Sequence, residues 1–242
     1  MASLRIDIWS DLACPWCYVG KRRLEAALAR FEHADHVEIV WRSFELDAAA
    51  PRQLEGNYVE LLARKYRTTA AHGQAMIDRM TATAAAEGIA MRFDKIRPGN
   101  TFDGHRLLHL AGERGLQGAL KERLVRAYLC EGEALGDPAT LTRLAAEVGL
   151  DAAEVQAVLS TERYADAVRA DEALARELEI TGVPCFVLAQ GELAVAGALP
   201  ADEMLQALRT AWSAVAAAPG EAGATASEAG AVCGPSGCDG VS

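Results

Sequence analysis

Two cysteines separated by two residues, Cys14 and Cys17, are the groups in this sequence whose type and spacing most directly imply chemistry. The thiolate, not the thiol, is the sulfur nucleophile. If a helix opens at the pair, its first turn offers unpaired N–H groups and the positive end of the helix dipole. Both favour a negative sulfur, so the pKa of Cys14 is expected to fall. The spacing also places Cys17 one turn on, along the same face. Cys14 would then attack or be attacked, and Cys17 would resolve the mixed disulfide. Pro15 suits the first helical turn, where its missing N–H costs nothing. The intervening Pro15 and Trp16 add no cation, which predicts a thiolate less stabilised than in the strongest disulfide oxidants. Taken alone, the pair also fits half a zinc site or two inert thiols.

The elements that must position the pair are legible on either side of it. Leu4-Arg5-Ile6-Asp7-Ile8-Trp9 alternates apolar and polar residues and reads as a strand, with a turn at Ser10-Asp11. Leu24, Ala27, Leu28 and Phe31 then repeat with helical spacing. Val37 to Phe44 is rich in β-branched and aromatic residues and reads as a second strand. A parallel pair needs a crossover, and the intervening helix supplies it. From about Arg52 to Leu178 the pattern is helical, with five or six helices expected. Starts are marked at Asp137-Pro138 and at Asp151, where Glu154 completes a capping-box pattern. Breaks fall at Gly88, Pro98-Gly99 and Gly149. Strand character returns at Pro184–Leu188 and Leu193–Ala196 around a Gln190-Gly191 turn, and a last helix spans about Ala201 to Val215.

A second marker is Gly182-Val183-Pro184. Proline is tolerated as the first residue of a strand. A cis bond there would leave the Val183 backbone free to pair with an extended substrate. An ordinary trans proline at a sheet edge is the competing reading.

With these motifs in hand, the chain resembles the DsbA family of the thioredoxin superfamily. The residues that narrow the likeness are Ser10-Asp11, Cys14-Pro15-Trp16-Cys17-Tyr18-Val19-Gly20-Lys21, Trp41-Arg42-Ser43-Phe44-Glu45-Leu46, Asn100-Thr101 and His105-Arg106. They resemble the FrnE-like branch of dithiol–disulfide isomerases, over roughly residues 4 to 215. This branch adjoins glutathione-using isomerases and transferases that carry serine where Cys14 stands. The resemblance implies an α/β fold: a thioredoxin-like mixed sheet with a large all-helical insertion. It implies Cys14 as nucleophile, Cys17 as resolver and Pro184 as a cis-proline facing them, with Pro15, Trp16 and Val183 in support. It implies no cofactor. Its partners would be thiol- or disulfide-containing proteins, with glutathione or a thioredoxin-type reductant as a further electron partner. Segments 1–50 and 179–216 form the expected thioredoxin-like domain, 51–178 the insertion, and 217–242 a flexible extension.

Other residues compete for roles. Cys185 stands where these families usually carry threonine, and reads as a small buried thiol or as a third redox sulfur. Cys130 reads as a semi-buried helical residue. His105 and His109 share a helix face but lack the H-E-x-x-H frame of a metal site. Asn100 and Thr101 read as helix caps or as part of a ligand cleft. Trp16, Tyr18, Phe44 and Phe102 are candidates for an apolar groove beside the thiols, with core packing as the alternative for Phe44 and Phe102. The tail holds a second dithiol, Cys233 and Cys238, framed by Gly and Pro. A linker of about 17 residues spans roughly 20–25 Å, so the tail pair is within reach of Cys14.

Bulk properties bound the rest. Net charge is −10 and 51% of residues are hydrophobic. The first excludes a phosphate-binding surface as the main feature, so no nucleic-acid partner is expected. The second is enough for a core that needs no disulfide framework. The N-terminus lacks the run of about 7–15 apolar residues of a secretory signal, and no stretch approaches about 18 uninterrupted apolar residues. A cytoplasmic protein with no membrane partner is therefore expected, a setting in which close cysteines read as redox or metal sites. Two other functions stay open: a glutathione-dependent isomerase or transferase of small aromatic substrates, and a redox-responsive chaperone.

Overall fold

The computed structural model describes residues 2–217. The tail cysteines Cys233 and Cys238 lie outside the described residues. A four-stranded sheet carries the thiol pair. Strand β1 (Leu4–Ser10) lies at its centre, parallel to β2 (Val37–Ser43) and antiparallel to β3 (Cys185–Leu188), which pairs antiparallel with β4 (Leu193–Ala196). Helix α1 (Pro15–Leu28) is the crossover between β1 and β2 that parallel pairing requires.

The alternation of β1 assigns its two faces. Leu4, Ile6 and Ile8 are buried with Phe186 and Leu188 against Leu24 and Ala27 of α1 and against Met204, Leu205 and Leu208 of α9 (Ala201–Ala217). Trp9 points the opposite way, into a small cluster with Cys185, Val187 and Ala175. Its indole N–H donates to the carbonyl of Asp171 at 2.9 Å. Ala175 and Asp171 belong to α8 (Ala165–Glu177), so this helix covers the second face of the sheet. A mixed sheet with helices on both faces is the thioredoxin-like architecture the sequence implied.

Between β2 and β3 lie seven α-helices, more than the five or six expected: α2 (Tyr58–Lys65), α3 (Ala70–Ala86), α4 (Phe102–Glu113), α5 (Gln117–Arg126), α6 (Pro138–Glu147), α7 (Ala152–Leu159) and α8. A π-helical turn, Ala127–Glu131, continues α5. The extra breaks come from local chemistry that composition hides. Arg67 adopts a left-handed conformation (φ 50°), and the Thr69 hydroxyl then caps α3 by accepting from the His72 N–H. Tyr164, at φ 66°, separates α7 from α8. The expected starts are present: the Asp137 carboxylate accepts from the Ala139 and Thr140 N–H groups, and that of Asp151 from Ala153 and Glu154. The side chain of Glu154 does not close a reciprocal box; it pairs with Arg114.

Helices α3 to α7 enclose the largest core, around Leu107, Leu110, Leu120, Leu124, Leu144 and Val155. Leu12, Tyr18 and Val19, which flank the thiol pair, belong to that core. The pair is thus seated where the sheet and the helical segment meet. Among the described residues, no helix is long and apolar enough to cross a membrane.

Candidate active site

Cys14 occupies the N-cap of α1, in extended conformation, and Pro15 takes the first helical position. The Cys17 N–H donates to the Cys14 carbonyl at 3.1 Å, which closes the first turn around the pair. Both thiols are reduced and buried, while Trp16 between them is 47% exposed. The site therefore offers an indole to solvent and shelters both sulfurs.

The far wall comes from the other end of the sequence. The Val183–Pro184 bond is cis, as the resemblance implied. The Val183 carbonyl lies 3.6 Å from the Cys14 Sγ. This approach depends on Gly20 in α1. A Cβ there would stand 3.0 Å from the Pro184 ring and 3.3 Å from Phe186, tighter than packed side chains normally accept. Cys14, Cys17, Pro184, Pro15, Trp16 and Val183 are all brought together.

The electrostatics differ from the expectation for Cys14. The two sulfurs are hydrogen-bonded to each other and cannot both ionise at moderate cost. The Cys14 thiol is pushed well up by its hydrogen bond to Cys17, by burial and by the charge on Cys17. Burial pushes Cys17 up too, but the hydrogen bond from Cys14, the charge of Lys121 and contacts with Ser10 and Asp11 outweigh it, leaving Cys17 below its ordinary value. The two coupled sulfurs thus form one thiolate between them, and the surroundings of Cys17 favour the charge more than those of Cys14 do. The helix dipole acts on the pair together with the neighbouring sulfur, the buried cation of Lys121 and the nearby carboxylate of Asp11.

That carboxylate organises the loop before the pair. Its Oδ1 accepts from the Ala13 N–H (3.2 Å), the Thr101 hydroxyl (2.9 Å) and the His105 Nε2 (3.4 Å), and its Oδ2 from the Leu46 N–H (2.8 Å). Burial opposes its charge, yet these donors, His105 foremost, keep it below the usual carboxylate range. Asp11 and Lys121 are the site residues that sequence reading missed. Asp11 enters the sequence reading as a turn residue and as part of the family resemblance, without a role in the site. Lys121 does carry a signal, because Leu120, Lys121, Leu124 and Val125 form one buried stripe of α5.

An apolar cleft of about 570 Å³ opens beside Cys14, lined among others by Trp16, Tyr58, Leu62, Phe93 and Met80, with Lys65 and Arg79 contributing the cations of its wall. Of the four aromatic residues expected at such a groove, only Trp16 lines it. Tyr18 is turned to Glu122 (2.8 Å), Phe44 packs under the sheet near Trp9, and Phe102 lies beneath Arg106 and Arg169. The aromatic wall comes instead from α2 and the segment after α3. Asn100 acts as a cap, its side-chain oxygen accepting from the Phe102 N–H at 2.8 Å.

The remaining candidates separate from the site. Cys185 lies on the α8 face of the sheet, opposite to α1, where burial pushes its thiol up. Cys130 is half-buried on the π-helical turn. His105 faces Asp11, whereas His109 contacts Ser43 and Asp171, each at 3.2 Å. The two imidazoles therefore do not converge, and among the described residues no group of three metal-ligating side chains is gathered.

Comparison with known proteins places this geometry in context. Residues 5–209 match the model of the DSBA-like thioredoxin domain. A probable DsbA oxidoreductase from Streptomyces coelicolor has 48% identity and a TM-score of 0.82 over 87% of this chain and 90% of its own. The YwbO protein of Bacillus subtilis strain 168 is 30% identical over 211 residues, covering 85% of this chain and 96% of its own. The cytosolic disulfide reductase DsbM of Pseudomonas aeruginosa, also solved with glutathione, shares the fold at 20% identity and a TM-score of 0.55, covering 85% of this chain and 97% of its own.

Proposed function

The chain belongs to the DSBA-like thioredoxin domain family, and from that premise we propose that it exchanges disulfides with protein substrates at Cys14. The observation that carries this reading is the placement of Cys14 alone of the two sulfurs on the wall of the apolar cleft, 3.6 Å from the Val183 carbonyl. A substrate disulfide lying along Val183 would present its sulfur to Cys14, held by backbone pairing of the strand-addition kind. Its apolar flanking side chains would fill the cleft. The proton shared by the pair passes to Cys17, Cys14 attacks, and a mixed disulfide forms as substrate thiolate leaves. Cys17 then attacks the Cys14 sulfur and releases the second substrate thiol. Isomerisation is the same pair of steps with a second substrate thiol as the resolving nucleophile.

Finer points belong to the same proposal. The FrnE-like motifs support an isomerase role within the family. The tail pair Cys233 and Cys238 is assigned to electron exchange with Cys14 and Cys17. Cytoplasmic action is compatible with the cytosolic neighbour from Pseudomonas aeruginosa.

Insulin reduction and refolding of scrambled ribonuclease test the reading with Cys14→Ser, Cys17→Ser and Cys233→Ser. Cys14→Ser should abolish both activities, Cys17→Ser should trap mixed disulfides, and Cys233→Ser should slow turnover. Full activity of Cys14→Ser refutes the central assignment. A second reading is favoured by one observation, the two cations lining an otherwise apolar cleft: a glutathione-dependent reaction of a small aromatic substrate. Turnover with glutathione that survives Cys17→Ser would select it.

A further inference from the structure

Lys121 is a cation in a place where a cation is costly. It is 1% exposed, on the inward face of α5, between residues of the helical core. Its ammonium donates to the Ser10 carbonyl at 3.4 Å and lies 5.4 Å from the centre of the Trp41 ring. Ser10 is the last residue of β1, so the amine sits beneath the loop that leads into the thiol pair. A buried, unmatched ammonium is costly to a fold. The adjacent Glu122 does not match it, being engaged by Lys21, Arg22 and Tyr18. The carboxylate of Asp11 is shared among four other donors.

The groups facing Lys121 can be named element by element. Helix α1 contributes Cys17, Cys14 and Lys21, the following loop of β1 contributes Asp11, and α4 contributes His105. Strand β2 contributes the uncharged Trp41. Of these, Cys17 exerts the strongest pull on the ammonium. His105 is a buried imidazole whose Nδ1 meets no partner among the described residues and whose pKa burial holds down, so it adds no competing charge near neutrality.

We propose that Lys121 is a positioning residue for the resolving sulfur, its ammonium pairing with the Cys17 thiolate each time the Cys14–Cys17 disulfide opens. The inference rests on Cys14 being the attacked sulfur and deepens that reading by adding a helix of the insertion to the redox machinery. In the opening step, a substrate thiolate attacks the Cys14 Sγ. The substrate–Cys14 bond forms, the Cys14–Cys17 bond breaks, and its electron pair remains on the Cys17 Sγ beside Lys121. In the reverse step that thiolate attacks the Cys14 sulfur and expels the substrate thiolate. Lys121 contributes charge, not a proton, to the Cys17 thiolate in both directions. A stabilised leaving thiolate departs faster and favours the reduced pair. The site is then a stronger oxidant than its uncharged Pro15-Trp16 dipeptide implies. Burial alone pushes the lysine down, and with the facing anions it lies at about 8, close enough to neutrality for the sulfur charge to govern it.

The test uses the full-length protein with Lys121→Met, which keeps the stem and removes the charge. In glutathione redox buffers its equilibrium should shift about tenfold or more toward the disulfide, one pKa unit being a tenfold change. In a Cys14→Ser background, ultraviolet thiolate absorbance should show the Cys17 midpoint rising by about one unit or more when Lys121 is replaced. Lys121→Arg should restore part of both. A purely structural lysine would change the stability of the oxidised and reduced forms alike, whereas here Lys121→Met should weaken the reduced form relative to the oxidised. A variant-free measurement covers failure to fold: the ¹⁵N resonance of the wild-type Lys121 amine should titrate at higher pH in the reduced protein than in the oxidised. Coincident midpoints in the two forms, or an unchanged glutathione equilibrium in folded Lys121→Met, overturn the proposal. Full activity of Cys14→Ser would instead overturn the exchange reading.

Discussion

Replacing Asp11 with asparagine keeps the shape of the side chain and removes its charge. In the wild type, Oδ1 accepts from Ala13, Thr101 and His105, and Oδ2 from Leu46. Asparagine has one acceptor oxygen and an amino group. If the oxygen keeps the Oδ1 position, the new N–H₂ faces the Leu46 N–H, donor against donor. If it flips, the Ala13 N–H loses its acceptor. Either way at least one buried N–H is orphaned, at about 1–3 kcal/mol, and the surviving bonds fall from charge-assisted to neutral strength. The expected total is about 2–4 kcal/mol, and a chain of this size should then melt roughly 5–15 °C lower. Urea unfolding followed by circular dichroism, in oxidised and reduced forms, measures it. Because the Asp11 charge also helps hold the Cys14 thiol up, the variant should form the Cys14 thiolate at lower pH. A loss below about 0.5 kcal/mol in both redox forms would place the change among ordinary surface substitutions and refute the role given to this carboxylate.

Three further outcomes follow from the geometry. Asp171 is opposed by burial, but His109, the Ser43 N–H and Arg42 hold its pKa below 3.8, so it stabilises the fold above that value. That stability should vanish as pH falls through the folded value, seen as a urea midpoint flat near neutrality and dropping below about pH 4, and Asp171→Asn should flatten the drop. Gly104→Ala would place a Cβ 2.5 Å from the Leu12 side chain, costing about 1–3 kcal/mol in thermal unfolding and slowing exchange by displacing the redox loop. Cys185→Ala should leave insulin reduction unchanged, because its sulfur faces α8; a more than about tenfold loss in a folded variant would restore it as a third redox sulfur.

The thiol pair, its helix and the strands around it were legible because each rests on local pattern. Alternation marks β1, and Pro15 marks the first turn of α1. Pro184 was legible through resemblance, since spacing alone left cis and trans open. The charge on the pair was not legible, because it depends on groups that meet only in the folded state: Lys121 from α5, Asp11 from a turn and His105 from α4. Lys121 stands in the run Lys121-Glu122-Arg123, which looks like a solvated face, and only the buried Leu120 and Leu124 beside it betray its direction. The lining of the cleft is hidden from the sequence for a related reason. Tyr58 and Phe93 are unremarked within a helical stretch until the packing of α2 on α3 turns them toward Cys14.

The central strand has a consequence for how the chain is made. Cys14 and Val183 face each other across 169 residues of sequence. At about 5–20 residues per second, a ribosome that has released β1 and α1 works for roughly 10–30 s before β3 emerges. Through that interval β1 has its parallel neighbour but lacks its antiparallel one. The outer thiol lacks the carbonyl that will cover it, and its inner partner waits for the helix that carries Lys121. The nascent chain is therefore itself a dithiol open to its surroundings. Its first exchange partner during synthesis is whichever disulfide reaches it before its own C-terminal half does.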